Sequence, residues 1–256
     1  MGLFNLARFN LKSFSSIAPS NKRTVSFDGI DIFDAVPNAK ILNVTVGAVG
    51  IESYTSARIV RAGSDYRNRR HGTREIVILV ELPLIKDQYA ENIRKLRAWA
   101  ESMEPKALCI PAYKDEQIYA TLTGCSDFTL REWWQPYELV FTAWNPYFEN
   151  IEENTASVGS EFSISGSGNP YVRIVHMIDG SLTDPEWVFD DGKRIKLNGI
   201  FTGEIVIDFE KLMVYRNGES IMSQLALTSR FPLILPGINC VIGPAGGLVK
   251  WKERWI

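Results

Sequence analysis

The chain has 256 residues, 45% of them hydrophobic and 23% charged, with 28 Lys+Arg against 30 Asp+Glu and a formal net charge of -2. These are globular values that exclude a disordered or collagen-like chain, and the near-neutral balance favours neither nucleic acid nor an anionic membrane as a partner. The length suits two domains of ordinary size, each able to bury a core without disulfides or metals.

The scarce residue types narrow the chemistry. His71 and His176 are the two histidines, and neither has a second histidine at ligand spacing. Zinc-hydrolase and Ser-His-Asp readings therefore have little to build on, and no metal or cofactor is expected. His176, inside the apolar stretch 171–178, reads as a hydrogen-bonded residue of a core or sheet face. Cys109, Cys125 and Cys240 are odd in number and form no C-x-x-C pair, which reads as buried, inert thiols in a reducing compartment. No apolar run approaches the about 20 residues of a bilayer span, so no membrane insertion is expected. Residues 1–27 carry Arg8, Lys12, Lys22 and Arg23 and no acid. They read as a short basic arm that docks on a neighbour, in preference to a transit peptide.

In chain order, strands at 23–27 and 30–33 flank Asp28-Gly29, a strong hairpin signal. Strands at 41–46 and 51–60 follow. The run 74–82, REIVILVEL, reads as a central strand covered on both faces, ended by Pro83. From 86 to 103, Tyr89, Ile93, Leu96, Ala100 and Met103 are spaced four, three, four and three. That spacing predicts a helix with one apolar stripe, packed over the sheet and closed by Pro105. Strands resume at 117–123, 127–133 and 137–144.

Between 145 and 160 the composition turns polar and acidic, which sets the expected boundary between a domain at 1–150 and another at 151–256. Short strands then recur at 161–165, 171–178, 187–189, 193–197, 204–209, 212–216 and 248–255. Turn signals such as Asp179-Gly180, Asn198-Gly199 and Asn217-Gly218 separate them, the pattern of an antiparallel β-sandwich. Gly166-Ser167-Gly168-Asn169-Pro170 lacks the third glycine of a dinucleotide loop, and its proline blocks a following helix. It reads as a tight turn. In the last strand Val249, Trp251 and Trp255 share one face and Lys250, Lys252 and Arg254 the other. The tryptophans read first as core and second as a sugar-stacking platform. Acid pairs such as Glu152-Glu153 and Asp190-Asp191 read as solvated carboxylates and give a two-carboxylate glycosidase no support.

This order resembles the distal tail proteins of long-tailed bacteriophages, the siphophage tail-tip or baseplate hub family. In the first half the resemblance lies in the Phe27-Asp28-Gly29 hairpin, the Gly/Arg-rich loop leading into Arg74-Glu75-Ile76-Val77-Ile78, the helix with Leu96 and Trp99, and the exit Asn145-Pro146-Tyr147-Phe148. In the second half it lies in the segment from Phe231-Pro232 to Pro236-Gly237-Ile238-Asn239 before the closing strand. The resemblance implies a mainly β chain: an N-terminal split β-barrel with one packed α-helix, and a C-terminal galectin-like antiparallel β-sandwich. It implies a non-enzymatic virion protein, made in the bacterial host cytoplasm and forming a homohexameric ring at the distal end of the tail. Its partners would be the tail tube protein and the tail-tip, baseplate or receptor-binding proteins, with DNA passing through the ring unread.

A ring needs two complementary surfaces on each subunit. The segment 58–74 supplies Arg58, Arg61, Arg67, Arg69, Arg70 and Arg74 against a single acid, Asp65. Arginine's planar fork suits partly buried pairing with a neighbour's carboxylates, so these are candidate subunit-interface residues. A solvated loop and a phosphate contact are the alternatives. Adjacent Trp133 and Trp134 cannot both face inward on a regular strand, and with Trp187 they are the candidate exposed aromatics. Such aromatics also sustain a second reading of the chain, a carbohydrate-binding module gripping host-surface glycans through the sandwich.

Overall fold

The structure is a computed structural model that describes residues 24–57, 64–82, 88–126, 136–168 and 170–256, with 52–57 and 64–70 described as strand backbone. It is mainly β and antiparallel throughout. The first half runs β1 (Ser26–Phe27), β2 (Ile30–Asp31), α1 (Ile32–Ala35), β3 (Lys40–Val46), β4 (Ile51–Ala57), β5 (Ser64–His71), β6 (Arg74–Glu81), α2 (Tyr89–Ala100), β7 (Lys106–Cys109), β8 (Glu116–Cys125), β9 (Tyr137–Ala143) and β10 (Phe148–Asn150). Its main sheet has the order β2-β1-β7-β8-β9-β6-β3.

Asp28 and Gly29 both take positive φ (52° and 78°), which matches the right-handed strand twist and closes the hairpin as expected. The predicted strand at 30–33 stops after two residues. The Asp31 carboxylate accepts a hydrogen bond from the Phe33 amide at 2.8 Å and so caps a helical turn instead. β6 alternates buried and half-buried residues, with Ile76, Ile78 and Val80 fully inside. The opposite face is thus only partly covered, less than the continuous apolar run suggested.

The predicted helix is α2, shorter than 86–103. Ile93, Leu96, Trp99 and Ala100 face the core, whereas Met103 lies beyond the helix end and is fully exposed. Trp99 meets Phe27 and Phe141 edge-on, with ring centroids 6.0 and 6.5 Å apart. Its indole N–H donates to the Ile30 carbonyl at 2.9 Å. The helix is thereby pinned to the β1–β2 hairpin by packing and by a directed bond.

The second half runs β11 (Asn154–Ser157), β12 (Glu161–Ile164), β13 (Tyr171–Thr183), β14 (Glu186–Phe189), β15 (Arg194–Lys196), β16 (Ile200–Asp208), β17 (Met213–Arg216), β18 (Glu219–Ser220), β19 (Gly237–Ile242), β20 (Gly247–Lys252) and β21 (Arg254–Trp255). A six-stranded sheet, β11-β20-β13-β16-β17-β18, faces a four-stranded one, β12-β19-β14-β15. Phe162, Ile174, Trp187, Phe189, Ile205 and Val249 fill the space between them. This core is separate from the one built on Ile78, Leu96 and Phe141 in the first half.

One expectation fails at the closing strand. β20 keeps Val249 and Trp251 inward, but the alternation breaks at Glu253, and Arg254 turns inward while Trp255 is half-exposed. The cause is a change of sheet, since β21 leaves the sandwich to pair with β10, which also pairs with β8 of the first half. The stretch 145–160, read as irregular, thus contains β10 and β11. The cysteines also differ from expectation: Cys125 is exposed, Cys109 and Cys240 are half-buried, and all three are free thiols.

Candidate assembly surface and a cleft between the cores

The ladder between β3 and β6 continues outward through Gly47, whose amide donates to the Glu75 carbonyl at 2.8 Å, and Gly50, whose amide donates to Thr73 at 3.2 Å. A Cβ at Gly47 would lie 2.9 Å from the Glu75 carbonyl oxygen, so only glycine permits this approach. Beyond it β4 and β5 pair with each other from Ile51↔His71 to Ala57↔Ser64. β9 follows β6 only over Arg74–Val80. Among the described residues β4 and β5 therefore form a two-stranded ribbon outside the main sheet, about 24 Å long at strand rise, with both outer edges unpaired. At its root the His71 Nδ1 lies 2.8 Å from the Tyr147 hydroxyl.

The segment 64–71 is therefore strand, not loop. The sequence of that segment, SDYRNRRH, carries no apolar alternation and so holds no period-two signal. Arg67, Arg69 and Arg70 lie on β5. The register sets Arg69 across from Ser53 and Arg70 across from Glu52, while Arg67 falls at a register shift between the Tyr54↔Asn68 and Thr55↔Tyr66 pairs. Arg58 and Arg61 lie outside the described residues, as do Trp133, Trp134 and the basic arm up to residue 23.

Two candidate residues are internal to the protomer. Arg74 is buried with its guanidinium over the Phe148 ring, 5.3 Å from the centroid, and burial lowers its pKa. It is unavailable to a neighbouring subunit, because as the first residue of β6 its side chain points into the sheet's covered face. Trp187 is not an exposed aromatic. It is 0% exposed, on the inward face of β14, beside His176 (centroids 6.2 Å apart) and against Gly243, where any Cβ would strike the indole. The alternation Trp187/Phe189 puts both rings between the two sheets. His176 is buried as expected, and desolvation lowers its pKa while a hydrogen bond with the Ala245 backbone opposes that shift.

An aromatic cluster absent from the sequence reading lies where the two halves meet. A cleft of about 740 Å³ is lined by Tyr119, Trp144 and Tyr147 on one side and Tyr171, Glu210 and Arg254 on the other. Its floor is the buried Glu149 carboxylate, which meets Lys252 at 3.4 Å and Arg254 at 3.4 Å, and Arg254 reaches on to Glu210 at 3.0 Å. Trp144 is 62% exposed, its N–H donating to Thr121 Oγ1 at 3.2 Å. The Tyr119 hydroxyl accepts from Gln117 at 3.2 Å, and that of Tyr171 donates to Asp208 at 3.3 Å. Burial raises the pKa of both phenols, helped by Glu149 and Asp208 respectively. These residues are scattered from 119 to 254, and the only sequence signal was the exit segment Asn145-Pro146-Tyr147-Phe148.

Among the described residues no group of three or more His, Cys, Asp and Glu is placed to hold a metal ion, and no helix is long and apolar enough to cross a membrane.

Residues 166–255 match the family model of the siphovirus-type tail component, C-terminal domain. No curated protein matches the chain. The crystal structure of the Dit (gp 19.1) protein of phage SPP1, described as a paradigm of hub adsorption apparatus in Gram-positive infecting phages, has the same fold. It superposes with a TM-score of 0.77 over 92% of this chain and 100% of its own, at 16% identity. A chain of the phage P2 baseplate, in its activated conformation with Ca, aligns over 90% of this chain and 97% of its own at 9% identity. Its TM-score of 0.48 is too low to build on. Residues 166–255 are therefore similar to the C-terminal domain of siphovirus-type tail components, and the chain as a whole has the mainly β fold of the SPP1 Dit protein.

Proposed function

We propose that this chain is a structural virion protein that assembles as a homohexameric ring at the distal end of a phage tail. The ring joins the tail tube to the tip or baseplate proteins and leaves a channel for DNA. The observation that carries this reading is the tail-component match over 166–255 within a fold shared, end to end, with a hub protein. The two separate cores support a division into a ring-forming domain at 1–150 and a projecting sandwich at 151–256.

The β4–β5 ribbon supports the assembly. A closed ring needs a feature on each subunit that reaches a different surface of the next, and a projecting ribbon with free edges and arginines on β5 has that form. The role is mechanical and not catalytic, exercised in the virion after assembly in the bacterial cytoplasm.

Negative-stain microscopy with light scattering of the purified chain tests the proposal. Six-fold rings with a central hole are expected, and a solitary protomer at high concentration and low salt would overturn it.

A further inference from the structure

We infer that the cleft between the two cores is a binding site for a neutral oligosaccharide. The site is formed within one protomer and does not depend on ring formation.

Its walls offer the two surfaces a pyranose needs. Trp144 and Tyr119 are 62% and 41% exposed, and each ring is held at its edge by a hydrogen bond, to Thr121 and from Gln117, a bond that does not use the ring face. Such rings stack on the C–H face of a sugar at little entropic cost, because they are already oriented. Around them stand hydroxyl-binding groups. Glu210 gives one carboxylate oxygen to Arg254 and has no partner on the other among the described residues, and Glu104 and Lys211 line the same rim. The volume lies in the about 300–1,000 Å³ range of small-ligand clefts.

The charges decide which ligand fits. Arg254 is paired with Glu149 and Glu210, Lys252 with Glu149, and Lys211 lies 4.0 Å from Asp208. Among the described lining residues three carboxylates, Glu104, Glu149 and Glu210, stand against two cations, Lys211 and Arg254, which disfavours a phosphate or a sialic acid as the occupant. A peptide strand would need an open sheet edge or a dry apolar slot, and the cleft offers neither. Exposed aromatic faces rimmed by hydroxyl-binding groups fit an uncharged sugar chain.

The test uses the purified full chain, titrated with a panel of neutral hexasaccharides built on glucose, galactose, N-acetylglucosamine or rhamnose. Tryptophan fluorescence and calorimetry provide the readouts. Saturable binding of at least one member is expected. Trp144→Ala should weaken it at least about fivefold without lowering the melting temperature, and Trp144→Phe should retain it within about twofold. Tyr119→Ala gives an independent second variant should Trp144→Ala fold poorly. Failure of the whole panel to saturate at millimolar concentration would overturn the inference, as would binding unchanged by Trp144→Ala or Tyr119→Ala. So would a chain blind to every sugar whose Trp144→Ala form fails to recruit a tail-tip protein, which would assign the cleft to a protein partner. Because the titration reads sugar alone, its failure leaves the ring reading standing, and failure of the ring leaves this site standing.

Discussion

Arg254 and Glu149, 105 positions apart in sequence, meet at 3.4 Å in a buried contact that ties the closing strand to the exit of the first core. Both side chains are about nine-tenths enclosed. Removing one partner leaves the other charge desolvated, so Arg254→Met should destabilise the protein by about 3 kcal/mol, at the lower end of the usual range because Lys252 still faces Glu149. Pairing Arg254→Met with Glu149→Gln should recover part of the loss. Urea unfolding of the single and double variants measures both.

Gly166→Ala should also loosen this junction. A methyl there would land on the Arg254 backbone, 2.8 Å from its nitrogen and against its carbonyl oxygen, and neither atom can rotate away. A loss of about 1–3 kcal/mol is expected. Gly159→Ala, with open space around its Cβ but a φ of 91°, should cost less and serves as the control in the same melts.

Stability should fall on mild acidification through His176. Its folded-state pKa lies below the ordinary 6.5 because burial disfavours the charged ring. The unfolded chain therefore binds more protons in that window, and stability is complete above pH 6.5 and lost as pH falls toward the folded value. Thermal melts between pH 7.5 and 5.5 should show the decline, and His176→Phe should flatten it.

Replacing Arg67, Arg69 and Arg70 together with Ser should convert ring-sized material to protomer-sized in gel filtration, with the circular dichroism spectrum unchanged. A triple variant that still elutes as a ring would remove β5 from the interface.

How far the sequence carried depends on where each residue's partner lies. The hairpin at Asp28-Gly29, the stripe of α2 and the alternation of Val249 and Trp251 in β20 are local patterns, and each is readable because the burying surface runs along one element. β5 was misread because its sequence, SDYRNRRH, has no hydrophobic period. Trp187 was misplaced because a four-residue strand gives too short an alternation to show which face is inward. The cleft was invisible for a different reason: its aromatic and charged residues come from β8, the β9–β10 connection, β10, β13, the β16–β17 turn and β21, which are distant in sequence, and the pairing of β21 with β10 helps bring them together.

The seat of Gly166 on Arg254 has a mechanical side as well. Where side chains mesh, a joint can creep, since rotamers slip past one another and repack. Here main chain rests on main chain, also tied by the Gly168 amide donating to the Arg254 carbonyl at 2.8 Å, so no change of rotamer opens the contact. A pull on the sandwich is thus handed to the first core almost without slack, as a stiff lever transmits torque where a tether would absorb it.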